Sequence, residues 1–199
     1  MITNSRKSGI LCHITSLPNS FGIGDIGPSA YHFIDDLKSM GQQLWQILPT
    51  NPPDKYNCPY SSSSAFANNP YLISIELLLN DGLLKSNDII ESNNFDKSRI
   101  DFNSVLPIKE KLLFKAVSRF KTNNEFKIEF DQFCVDNNYW LDSFAIFQIL
   151  SKSYGGKVWN EWDDEYRNLD SDKIDTINKR NLDDIESIKI LQFLFAQQW

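Results

Sequence analysis

With 199 residues, 41% of them hydrophobic and 13% aromatic, the chain can bury one sizeable core or two small ones and is too apolar to be disordered. Its 20 basic and 26 acidic residues give a net charge of -6, and no stretch gathers Lys or Arg on one face, which excludes nucleic acid as an expected partner. No run approaches the roughly 20 apolar residues of a membrane helix, so no membrane association is expected. Arg6 and Lys7 before Ile10, Leu11 and Cys12 superficially suggest a secretory leader, but His13, Thr15 and Ser16 interrupt the apolar part, and no export is read. Cys12, Cys58 and Cys134 are odd in number and lack zinc-finger or CxxC spacing. The expectation is a soluble, cytoplasmic protein with reduced thiols.

In chain order, Gly9 to Ile14 forms a short apolar run that ends in turn residues, Ser16 to Ser20, as a buried strand does on entering a loop. A helix follows. Pro28 suits its first position, Ala30, Phe33, Ile34 and Leu37 recur at helical spacing, and Gly41 is placed to cap its end. Leu44 to Leu48 then reads as a second buried strand closed by Pro49. Strand, helix and strand within about forty residues define a βαβ unit, hence a parallel pair with a right-handed crossover.

From Thr50 to Asn69 the composition turns to Pro, Asn, Ser and Tyr, with four consecutive serines at Ser61 to Ser64 and aromatic Tyr56, Tyr60 and Phe66 embedded among them. The loop follows the C-terminal end of the second strand, where parallel α/β proteins place their binding sites. After an apolar stretch from Tyr71 to Leu79 and a turn at Asn80-Asp81-Gly82, the remainder reads as helical. Pro107 is placed to open one helix, with Leu112, Leu113, Ala116, Val117 and Phe120 as its stripe. Others are expected over Glu125–Val135, over Tyr139–Ser153 ending at Gly155-Gly156, and from Leu182 onward. This α/β pattern fits the opening of a barrel with a helical insertion, or a small parallel sheet carrying a helical domain.

Gly22, Gly24 and Gly27 match GxGxxG before a helix, the pattern of a dinucleotide site. Seven residues separate these glycines from the first strand, and no acidic ribose partner ends the second, so two parts of that fingerprint are missing. His13 lies at the end of the first strand, where it can face a substrate or join the hydrogen bonds of the loop. Neither His13 nor His32 has the further ligands of a metal site. Glycoside chemistry needs two carboxylates about 5 to 9 Å apart. Asp25, the Asp35-Asp36 pair, Asp54 and the run Asp163-Asp164-Glu165 are the candidates, and none makes a convincing pair. Sugars present flat C–H faces as well as hydroxyls, and Tyr60 beside Ser61 to Ser64 fits a groove that binds them. Trp159 and Trp162 could serve similarly, whereas Trp45 lies in an apolar strand and suits the core.

Arg6 to Pro18 and Phe21 to Pro28 resemble the opening strand and first loop of the amylomaltases, glycoside hydrolase family 77. The resemblance continues in order through Trp45-Gln46-Ile47-Leu48-Pro49, Cys58-Pro59-Tyr60-Ser61, Ser64 to Pro70, Gly155-Gly156, Trp159-Asn160-Glu161-Trp162 and Leu191 to Trp199. It implies the N-terminal part of a TIM (β/α)8 barrel, its first βαβ unit, carrying a mostly helical inserted subdomain. Residues 1–79 would start the barrel and include the substrate-side loop 50–69. Residues 80–181 would form the helical insertion, and residues 182–199 the helix leading to a third strand.

The implied activity is that of a 4-alpha-glucanotransferase, which moves alpha-1,4-glucan segments to sugar acceptors by a retaining mechanism without a cofactor. The implied partners are maltooligosaccharide or another alpha-1,4-glucan and the rest of the barrel. The family's Asp nucleophile, Glu acid/base and second Asp come from later strands, so no catalytic residue is assigned and the 199 residues alone are expected to be inactive. The tyrosine of the family's Ser-Pro-Tyr motif falls on Tyr60, with Ser61, His13 and Tyr56 as further substrate-side candidates. Cys58 stands where the family has serine, and Asp54-Lys55-Tyr56-Asn57 replaces its Gly-Tyr-Gly-Asp. The rival readings are a non-catalytic glucan-binding module and a nucleotide-binding α/β protein.

Overall fold

The computed structural model describes residues 6–89, 95–96, 98–168 and 171–199. The chain folds as two compact units, residues 1–122 with 194–199 and residues 123–193.

In the first unit, β1 (Gly9–Leu11), α1 (Pro28–Ser39) and β2 (Leu44–Gln46) make the expected βαβ arrangement. The strands pair in parallel, with Gly9 opposite Leu44, Ile10 opposite Trp45 and Leu11 opposite Gln46. The ladder ends where Cys12 donates its N–H to the Gln46 carbonyl at 3.0 Å. Both strands are shorter than their apolar runs, because Ile14 turns into a 3-10 helix and Pro49 ends the donors after β2.

Their burial also departs from expectation: Ile10 is 41% exposed, Leu11 60% and Leu44 51%. Parallel strands are buried only when neighbours cover both faces, and here the clearest cover is Phe33 of α1, whose ring meets that of Trp45 edge-on at 5.0 Å. Helix α1 starts on Pro28 and ends at Ser39, and Gly41 just beyond, with a φ of +72°, supplies the left-handed residue that closes it. Ala30 and Leu37 are buried, whereas Ile34, expected in the same stripe, is 50% exposed.

Helices α2 (Ile75–Asn80) and α3 (Phe102–Phe120) also belong to this unit. Pro107 does not open α3. The helix begins at Phe102, capped by the Asp101 carboxylate, which accepts from Asn103 N–H at 3.2 Å and from the Ser104 hydroxyl at 2.5 Å. A side-chain cap satisfies donors that a proline at the first position merely lacks, so Asp101 sets the start. Pro107 sits one turn in, on the exposed face, where water can reach the freed carbonyl.

Asp88 clips α3 to the turn after α2, accepting from Arg119 at 2.5 Å and Lys115 at 3.0 Å, which holds its carboxyl well below the usual range. Deeper in the unit, Lys109 of α3 meets Asp25 at 3.7 Å with both side chains buried. Burial pushes the Asp25 carboxyl up and the Lys109 ammonium down, and their mutual attraction opposes both shifts.

The second unit contains α4 (Lys127–Asp136), α5 (Asn138–Ser153), α6 (Asp164–Arg167), α7 (Ser171–Arg180) and most of α8 (Leu182–Gln198). Ala145, Ile146, Leu150, Trp162, Ile177 and Ile185 form its core, and Tyr154 stacks on Trp162 with ring centroids 5.5 Å apart. The Trp162 N–H finds the Lys157 carbonyl at 3.0 Å, as a buried indole requires. The described chain is thus mostly helical with one two-stranded parallel sheet, and no described helix is long and apolar enough to cross a membrane.

Removing one member of the Asp25–Lys109 pair leaves a buried charge unmatched. Lys109→Met is expected to cost about 3 kcal/mol in urea denaturation, and adding Asp25→Asn to recover most of it. An equally large loss in the double variant would show that packing, not charge, decides the position.

Candidate functional site

Both parallel strands run toward the same end of the first unit, and the loops leaving them shape a cavity of about 190 Å³. Its lining includes His13 after β1, Leu48 and Asn51 after β2, Asn57 and Pro59 of the long loop, and Tyr71. His13 is half-buried, and its Nδ1 has no hydrogen-bonding partner among the described residues. Desolvation by burial lowers its pKa below the ordinary imidazole value of 6.5. A neutral imidazole can both donate to and accept from a hydroxyl.

The loop is held at its base by polar side chains. Asn51 Nδ2 donates to the Ala67 carbonyl at 2.9 Å, Asn69 N–H to the Thr50 carbonyl at 2.7 Å, and Thr50 Oγ1 pairs with Asn68 Oδ1 at 3.0 Å. Further out, Pro53 and Ser62 form an isolated antiparallel bridge. Between them the Asp54 carboxylate accepts from Tyr56 N–H at 3.0 Å and Cys58 N–H at 3.1 Å. Asn57 takes a φ of +59°, which asparagine tolerates better than most residues.

The four predicted residues do not converge on one pocket wall. His13 lines the cavity, while Tyr60 (73% exposed), Tyr56 (76%) and Ser61 stand outward on the loop. Pro59 joins the two settings, since it lines the cavity and precedes Tyr60. Sequence reasoning misses Tyr71, whose ring lies on the cavity and whose hydroxyl donates to Glu110; burial and that carboxylate raise its pKa. Its one available signal is Asn69-Pro70, which caps the short turn carrying it.

The candidate carboxylates have other uses or none near the cavity. Asp25 is paired inside the core, Asp35 and Asp36 are exposed on α1, Asp163 accepts from the Tyr154 hydroxyl and Asp164 pairs with Arg167. Trp162 is buried in the second unit and cannot serve as a sugar platform, whereas Trp159 is 59% exposed. The glycines of the GxGxxG pattern serve packing. A Cβ on Gly24 would lie 2.1 Å from the Ile14 carbonyl, and one on Gly27 2.1 Å from Ser74 Oγ. The Asp25 carboxylate accepts from Gly27 N–H at 3.1 Å just before α1.

An exposed aromatic loop beside a cavity of mixed polar and apolar lining at the C-terminal ends of parallel strands stands where α/β scaffolds bind ligands. The family model for glycoside hydrolase family 77, 4-alpha-glucanotransferase, matches residues 12–199, and the chain belongs to that family. It is 36% identical over 198 residues to a 4-alpha-glucanotransferase of Synechocystis, and 37% identical over 196 residues to one of Aquifex aeolicus. Each alignment covers 98% of this chain and 39% of the relative, so the chain spans about two fifths of their length. Among solved structures it is similar to the amylomaltase of Streptococcus agalactiae in complex with acarbose. That match has a TM-score of 0.90 at 31% identity, covering 98% of this chain and 40% of the other.

Because the folded state favours neutral His13, stability is full above the ordinary imidazole pKa and declines as pH falls below it, where the unfolded chain takes up the proton more readily. His13→Gln is therefore expected to flatten the fall in urea midpoint between about pH 7 and about pH 5. Parallel pH profiles for variant and wild type would count against a buried neutral imidazole.

Proposed function

We propose that these 199 residues furnish part of the glucan cradle of a 4-alpha-glucanotransferase acting on alpha-1,4-glucans in the cytoplasm. The observation that carries the reading is the family match over residues 12–199. The similarity to an amylomaltase solved in complex with acarbose supports a sugar ligand.

On this reading β1 and β2 are the first two strands of an eight-stranded barrel. Residues 1–79 start it, residues 80–181 are the helical insertion, and residues 182–199 return toward it. The exposure of Ile10, Leu11 and Leu44 supports further polypeptide packing on this pair, which would bring the remaining strands and the catalytic carboxylates.

The Tyr60 ring offers a flat apolar face to a pyranose, with Ser61 and Tyr56 beside it and His13 able to exchange hydrogen bonds with sugar hydroxyls. What this chain's residues supply is binding and orientation. Retaining transfer at an anomeric carbon needs an acid and a nucleophile on opposite sides of the bond, and among the described residues no carboxylate lines the cavity.

The test is maltotriose with the 199-residue chain, followed by chromatography of the sugars. No longer or shorter oligomers are expected, and turnover would overturn this division of labour. Maltoheptaose is expected to bind, and Tyr60→Ala to weaken binding about tenfold through loss of ring contact. Unchanged affinity in the variant would remove Tyr60 from the site, and no binding by the wild type would remove the cradle reading.

A further inference from the structure

Within the loop, Tyr56 and Tyr60 expose most of their rings, yet their backbone is tied down. One side chain makes two of the ties. The Asp54 carboxylate accepts from Tyr56 N–H at 3.0 Å and Cys58 N–H at 3.1 Å. Its own carbonyl accepts from Asn57 N–H at 2.9 Å, and Ser61 N–H closes on the Cys58 carbonyl at 3.1 Å. The Pro53–Ser62 bridge fastens the two ends of the same segment. Asp54 therefore holds Tyr56, Asn57 and Cys58 ahead of Tyr60, the Ser61–Cys58 bond closes the turn behind it, and Asp54 lies outside the cavity lining.

We propose that Asp54 is the positioning residue of this site, holding residues 54–61 in one closed turn so that the Tyr60 ring is ordered before a glucan arrives. The inference rests on the glucan-binding reading above. A ring on a loose loop would have to be ordered by the ligand, and that entropy would be taken from affinity. Charge-assisted bonds to two backbone amides are the stronger kind of hydrogen bond and suit a loop tip open to water. The groups facing the carboxylate are those two amides, the Ser61 hydroxyl and the Lys55 ammonium, and together, the Cys58 amide foremost, they hold its carboxyl below the usual range. The closed turn consequently persists above the ordinary carboxylate pKa and opens only as pH falls through the depressed value.

Amide exchange by NMR and calorimetric titration with maltoheptaose test the proposal. In Asp54→Ala, exchange at Tyr56 and Cys58 is expected to quicken about tenfold and sugar affinity to fall about tenfold, as for the loss of two hydrogen bonds. Asp54→Asn, which keeps one acceptor oxygen, should restore most of the protection and lose its acid dependence. Unchanged exchange in Asp54→Ala overturns the proposal, and so does faster exchange with undiminished affinity. If the wild type binds no sugar, the functional reading fails instead. The exchange arm, which involves no sugar, then still decides whether Asp54 holds the turn.

Discussion

Two missing side chains set how closely the first unit can assemble. Gly24 lets the loop before α1 lie against the Ile14 carbonyl, and Gly27 lets the start of α1 lie against Ser74; a methyl group at either would sit 2.1 Å from its neighbour. Contacts that near leave no room for relaxation in a close-packed interior. They bring the exit of β1, the entry of α1 and the segment before α2 together, and between them Asp25 is buried against Lys109 of α3. The direction in which His13 and the following loop leave the sheet depends on that junction. The pattern that looks like a phosphate cradle is thus a packing joint.

How far the sequence could be read follows from how local each signal is. The βαβ order, the proline start and glycine end of α1, and the helices around α5 and α8 rest on neighbouring residues, and the structure contains them. The exposure of β1 and β2 is not local: an apolar run predicts what a strand would bury, while its actual cover comes from whatever packs on it. At α3 two local rules compete. Pro107 satisfies the preference for proline at a helix start, but Asp101 supplies hydrogen bonds, and the cap prevails.

The site divides along the same line. Composition reveals the loop from Thr50 to Asn69 and singles out Tyr60, which stands exposed on it. Composition does not separate serines that could meet a ligand from serines that fold the loop. Ser62 donates to the Ser64 carbonyl at 3.0 Å, and Ser64 Oγ accepts from Phe66 and Ala67 N–H groups at 3.2 and 3.0 Å. Tyr71 escapes notice because its hydrophobic neighbours make it look like core, and its partner Glu110 lies on a helix well downstream. Pairings of that range, like Asp25 with Lys109, leave no trace in spacing.

Gln198 presents its carboxamide to Ser74 as a second peptide group would, accepting from Ser74 N–H at 2.6 Å and donating to its carbonyl at 3.2 Å. The two residues are separated by 124 positions, and the whole of the second unit is encoded between them. During synthesis, Ser74 emerges long before the side chain that satisfies its backbone exists. Chain emerging from a ribosome can therefore complete the helical unit first, while the earlier residues wait for the closing helix; order of birth and order of completion run in opposite directions.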